Sequence, residues 1–149
     1  MLKGSLLHPQ ILTTLGTSGH GSKILIADGN FPFRSKTNPA ADKVYLNLSP
    51  GVVGAVEVLA ALCEAVPVES ALVMSPPTAG DFAVESPDIW DDFSRVIQGS
   101  NPQVSLNQIG RFNFYDACAS NDVTLVIATA EQRIFANLLL TIGVVRTAN

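Results

Sequence analysis

The sequence predicts a three-layer α/β/α fold built on a mainly parallel sheet, and three observations carry that prediction. Short apolar runs alternate with helical patterns along the whole chain. Val123 to Ala128 and Leu138 to Ile142 are apolar at nearly every position, as strands covered on both faces are. The 149 residues suffice for one domain around one sizeable core, and no repeat, linker or low-complexity tract divides residues 1–149.

Taken in order, Pro9 opens a short amphipathic helix carrying Ile11, Leu12 and Leu15, and Gly16 closes it. Lys23 to Ala27 is the first strand, and Val44 to Leu48 alternates enough for a second. Ser49-Pro50 then caps a helix predicted over Gly51 to Val66. Ala71 to Met74 is a fully apolar third strand. Ser75 to Asp81, rich in Pro and Gly, reads as a loop, either a plain surface connection or a lid over a site. Ser86-Pro87 repeats the cap signal ahead of an acidic amphipathic helix through Trp90, Phe93 and Val96, ended by Gly99. Val104 to Ile109 is the fourth strand and leads into a helix from Asn113 to Ser120; the two apolar runs already described complete the set.

Composition excludes several classes of function. The chain is 47% hydrophobic and only 15% charged, a surplus of apolar surface that points to a subunit interface. Its net charge is −4, and the nine Lys and Arg residues are scattered, so neither nucleic acid nor an anionic membrane finds a basic stripe. The start Met1-Leu2-Lys3-Gly4-Ser5 lacks the apolar run of a secretory signal, and the most apolar helix is short and carries Glu57 and Glu64. A cytoplasmic location is expected. Cys63 and Cys118 lack CxxC spacing and read as reduced core residues; with His8 and His20 far apart, no metal site is expected.

An imidazole and a carboxylate bracket the first strand. His20 stands between Gly19 and Gly21, where the backbone turns sharply and the ring stays uncrowded, and Asp28 begins Asp28-Gly29-Asn30-Phe31-Pro32. An acid/base pair is one reading; a loop histidine and a turn-forming aspartate are the other. Gly16 to Lys23 superficially suggests a phosphate loop, but it reads Gly-Ser-Lys and runs from helix to strand, so no helix N-terminus receives a phosphate. Arg111 and Tyr115 are four apart and share a helix face, a cationic fork beside a phenol suited to a polyhydroxylated ligand. The structural alternative packs Phe112 and Phe114 inside and pairs Arg111 with a carboxylate.

Gly19-His20-Gly21, Asp28-Gly29-Asn30-Phe31-Pro32, Ile109-Gly110-Arg111-Phe112-Asn113-Phe114-Tyr115, and Glu131 through Asn137-Leu138-Leu139-Leu140 to Gly143-Val144 occur in that order. Together they resemble the fucose mutarotase and D-ribose pyranase family over nearly the whole chain, from Met1 to Val144. The Arg111-Phe112-x-Phe114-Tyr115 stretch leans toward the fucose branch. The resemblance implies interconversion of ring forms of a free monosaccharide, L-fucose first, in ring assemblies that are commonly decamers with sites at subunit contacts. It also implies ligand contacts by Glu131 and Asn137, although Glu131 could equally form a structural ion pair. Two positions depart from the family: Ala130 replaces a glycine, and Phe135 replaces a tyrosine that would offer a hydroxyl to the ligand.

Mutarotation needs one proton removed from the anomeric hydroxyl and one supplied to the ring oxygen, so an acid and a base suffice without cofactor. His20 and Asp28 are the candidates, with Arg111, Tyr115, Phe135 and Asn137 against the sugar. Five extended residues at about 3.3 Å each separate the ends of the first strand by roughly 17 Å. Either the flanking loops fold back or a neighbouring subunit completes the site. The alternatives are a non-catalytic sugar-binding protein of the same fold and a ribose-type pyranase.

Overall fold

In the computed structural model, which describes residues 2–146, β1 (Lys23–Ala27), β2 (Asp42–Tyr45), β3 (Val68–Met74), β4 (Leu106–Ile109), β5 (Val123–Ala128) and β6 (Leu138–Ile142) form one sheet. Met1, where the resemblance begins, lies outside those residues. The strand order is β2-β5-β1-β6-β3-β4. β2, β5 and β1 pair in parallel, as do β3 and β4, whereas β6 runs antiparallel to both β1 and β3. Five strands therefore point one way and β6, wedged between β1 and β3, points the other. The expected mainly parallel sheet is correct.

Both faces of the sheet are covered. On β1, Ile24 and Ile26 face one layer while Leu25 and Ala27 face the other; on β6, Leu138, Leu140 and Ile142 oppose Leu139. The first layer is made by α1 (Pro9–Thr17), α2 (Ala55–Ala65) and α3 (Ile89–Ser100), which bury Ile11, Leu59, Leu62, Trp90, Phe93 and Ile97 against it. The second is α4 (Arg111–Cys118), which contributes Phe114 and Cys118 and packs with Phe31, Met74 and Ala41. Large side chains buried on both faces make the central strands the most strongly specified part of the fold.

Some element boundaries differ from expectation. α2 starts at Ala55 with Gly54 as its cap rather than at Gly51, because residues 49–53 form a turn laced to the end of β5: Gly51 N–H donates to Ala130 O at 2.8 Å and Ala130 N–H to Val53 O at 2.9 Å. The Ser49-Pro50 cap signal is thus used in that turn. Asp88, not Ser86, caps α3. β2 begins earlier and ends earlier than its alternation suggests, at Asp42 and Tyr45; β3 extends back to Val68, and α4 begins two residues early, at Arg111. Among the described residues no helix is long and apolar enough to cross a membrane.

Candidate active site

The carboxyl ends of the parallel strands open onto a cleft of about 750 Å³, the edge at which ligands bind in open α/β sheets. Asp28, at the end of β1, is buried at its floor. Because β6 runs backwards, its first end meets the last end of β1, and Asn137 lies beside Asp28. The Asp28 N–H donates to Asn137 Oδ1 and Asn137 Nδ2–H to Asp28 Oδ2, both at 2.9 Å; Asn30 N–H donates to Asp28 Oδ1 at 2.9 Å. Burial raises the carboxyl above its ordinary 3.8, and the hydrogen bonds from Asn30, Ala136, Asn137 and Phe31 only partly offset it. Asp28 is both a turn-former and a perturbed acid.

α4 brings the second group of expected residues to the same cleft. Arg111 is its first residue, and the guanidinium carbon lies 5.6 Å from the centre of the Tyr115 ring one turn on. Phe31 meets that ring edge-on, with centroids 5.7 Å apart. Among the described residues no carboxylate pairs with Arg111, and Phe112 is 79% exposed while Phe114 is fully buried. The structural alternative for this motif is therefore half right: Phe114 packs inside, but Phe112 does not and Arg111 has no acidic partner. Fully aligned on one face, Arg111 and Tyr115 line the cleft.

Phe135 lines it from the other side, with a left-handed backbone at φ 58°, unusual for an aromatic residue. Trp90 of α3 holds it there: the indole Nε1–H donates to the Phe135 carbonyl oxygen at 3.0 Å. Nothing local in the sequence marks that contact. Glu131, by contrast, is engaged in an ion pair. Arg133 Nε and Nη2 grip its two carboxylate oxygens at 3.0 Å each, the Gln132 and Arg133 N–H groups donate to Oε1 at 3.1 Å, and Ala55 N–H at the start of α2 donates to Oε2 at 3.4 Å. Burial works against the ionised Glu131, but the bonds from Arg133 outweigh it and hold the carboxyl below its ordinary range. Ala130 is not in a left-handed conformation, so the alanine needs no glycine-like backbone.

His20 does not join this group. It sits at the opposite edge of the sheet, in the turn leading into β1, where Nε2 lies 3.0 Å from Glu69 Oε2 at the start of β3 and the ring is 60% exposed. Within one chain the loops do not fold back to bring His20 and Asp28 together.

A model of the RbsD / FucU transport protein family matches residues 1–145. The chain belongs to that family. A fucose mutarotase of Danio rerio is 30% identical, with 97% of this chain and 95% of the relative aligned. A D-ribose pyranase of Clostridium perfringens is 28% identical over 97% of this chain and 99% of its own length. The crystal structure of the Streptococcus pneumoniae fucose mutarotase in complex with L-fucose matches 93% of this chain and 94% of its own, at 26% identity and a TM-score of 0.75. This RbsD / FucU protein is a sugar mutarotase or pyranase, an isomerase.

Proposed function

We propose that this protein interconverts the ring forms of L-fucose, with Asp28 and His20 as acid and base and Arg111, Tyr115, Phe135 and Asn137 around the sugar. The observation that carries the reading is Asp28, a buried carboxyl with a raised pKa at the floor of a cleft that also offers a guanidinium and a phenol. Ring opening takes the proton from the anomeric hydroxyl, breaks the bond between C1 and the ring oxygen, and protonates that oxygen, leaving an open-chain aldehyde. Rotation about C1–C2 and the reverse transfers close the ring on the other face, with no atom gained or lost. Positioned acids and bases typically contribute about 10²–10⁴-fold to such transfers.

Fucose is favoured by the character of the walls. Phe31, Met74, Phe82 and Phe135 give the cleft an apolar side that suits the methyl group of a 6-deoxy sugar, and Phe135 has no hydroxyl with which to hold a further polar group. His20 reaches a cleft only if it belongs to the neighbouring copy, so we read the assembly as a ring-based homodecamer with shared sites. The exposed apolar rim of the cleft, with Phe82 64% and Phe112 79% exposed, supports such a contact. Two unpaired thiols, Cys63 and Cys118, pushed up by burial to about 11 and about 12, suit a reducing cytoplasm.

Saturation-transfer NMR on a panel of free aldoses tests the reading, because exchange without net product escapes ordinary assays. Accelerated exchange of fucose, with ribose and galactose slower, is expected. Binding without acceleration anywhere in the panel would support a non-catalytic sugar-binding protein, and a preference for ribose would move the protein to the pyranase side.

A further inference from the structure

We propose that the protein takes a reducing disaccharide as well as a free monosaccharide: the reducing unit fills the cleft, and a second, neutral sugar fills an adjoining depression bounded by Asn30, Asn47, Ser49 and Gln132. The inference rests on the reading of the cleft as the place of ring opening, and it widens the substrate class of that same site.

The depression, of about 460 Å³, lies past the carboxyl ends of β1, β2 and β5, at the same edge of the sheet as the cleft, and the two meet at Asn30. Its polar side chains are uncommitted. Asn30 and Gln132 donate only from their backbones, to Asp28 and Glu131, and among the described residues no hydrogen bond engages the side chains of Asn47 or Ser49. Its charge is spent, because Glu131 is gripped by Arg133 and among the described residues no Lys, Arg or His lines the depression. Amides and a hydroxyl without a cation suit a neutral polyhydroxylated ligand and offer nothing to a phosphate or carboxylate. The walls are fixed. Gly29 N–H donates to Glu131 O at 2.9 Å, an approach so close that a Cβ at Gly29 would lie 3.2 Å from that oxygen. Gly51, left-handed at φ 80°, closes the opposite side, where a Cβ would stand 3.5 Å from Gln132 Oε1.

Size and position then select the ligand. The eleven carbon and oxygen atoms of L-fucose, each given a whole water's share of about 30 Å³, fill roughly 330 Å³. That is less than half of the 750 Å³ cleft, so a monosaccharide leaves the depression without a role. The crossing point lies next to the reacting carbon, because the Asn30 N–H donates to Asp28 Oδ1 at 2.9 Å. On the sugar, the hydroxyl nearest C1 is O2. A glycosidic bond from O2 passes over Asn30 while the anomeric hydroxyl and the ring oxygen stay free, so the ring opens and closes by the same two proton transfers and the glycosidic bond is untouched.

The test compares L-fucose with galactosyl-(1→2)-L-fucose and its 1→3 and 1→4 isomers, measuring kcat and KM of anomer exchange by NMR in the wild type, Asn47→Ala and Gln132→Ala. Neither substituted side chain lines the cleft. The 1→2 disaccharide should show a KM about tenfold below that of L-fucose at similar kcat, and the other isomers a smaller gain. Each alanine variant should raise the disaccharide KM about two- to tenfold, the worth of one neutral hydrogen bond, and leave L-fucose kinetics unchanged. Exchange of L-fucose with no lower KM for any disaccharide, or a gain that survives both variants, would overturn the second sugar position. Absence of exchange with every sugar would instead overturn the reading of the cleft. Isothermal titration calorimetry with the 1→2 disaccharide then decides the depression without turnover: binding weakened in both variants supports it, and binding that is absent or unweakened overturns it.

Discussion

Asp28 combines two requirements that pull against each other, since burial disfavours its charge while three hydrogen bonds to its backbone and carboxylate hold it in place. A carboxyl whose folded pKa lies above its unfolded value binds more protons when folded. Stability then falls as pH rises from 3.8 through the folded pKa, above which the full penalty is present. Asp28→Asn removes that titration. The melting temperature of the variant relative to the wild type should therefore improve as pH is raised from about 4 to 7, while exchange drops about 10²-fold or more. Parallel melts across that range check the first effect, and a constant difference would contradict it. Asp28, Arg111, Tyr115, Phe135 and Asn137, which line the cleft, were all singled out in the sequence, the first three by local motifs and the last two through the family resemblance. Glu69 and Trp90 were not, since each acts on a residue 45 or more positions away through one long-range hydrogen bond.

Among the elements, the segment between β5 and β6 shows how a site wall is held from outside. Glu131 and Arg133 anchor its start to α2 and α3, the latter through the Arg133 Nη1 bond to Asp92 Oδ2 at 3.0 Å, and Trp90 anchors its end at Phe135. Trp90→Phe keeps the aromatic bulk but leaves the Phe135 carbonyl without its donor. A loss of about 1–3 kcal/mol in stability is expected, with a raised KM and a smaller change in kcat as Phe135 leaves its left-handed conformation. Chemical denaturation and steady exchange kinetics measure both; an unchanged KM would separate Trp90 from the cleft. The bounds of β1, β5 and β6 were readable because continuous apolar runs have one use in a covered sheet. The start of α2 was not. Its cap signal serves a turn whose partners, Ala130 and Leu46, lie on other parts of the chain.

For the whole molecule, the proposed pairing of His20 with Asp28 would make activity a property of neighbouring copies, because the two residues lie at opposite ends of β1. His20→Ala and Asp28→Asn proteins, each inactive alone, should regain about a quarter of wild-type exchange when dissociated and reassembled together at equal amounts, because one head-to-tail contact in four unites both intact residues. No recovery after verified mixing would confine the site to one chain. The reversed strand β6 gives this arrangement a built-in ruler. Asn137 precedes it at the cleft and Gly143 follows it beside Glu69, so five residues set the distance between the cleft and the end of the sheet that carries His20. Lengthening or shortening β6 by one residue would turn Leu138, Leu140 and Ile142 toward the wrong layer, so the core forbids adjusting that span. The span from the cleft to the His20 end of the sheet is therefore locked by the hydrophobic interior, and the residues at either end are free to change in chemistry but not in spacing.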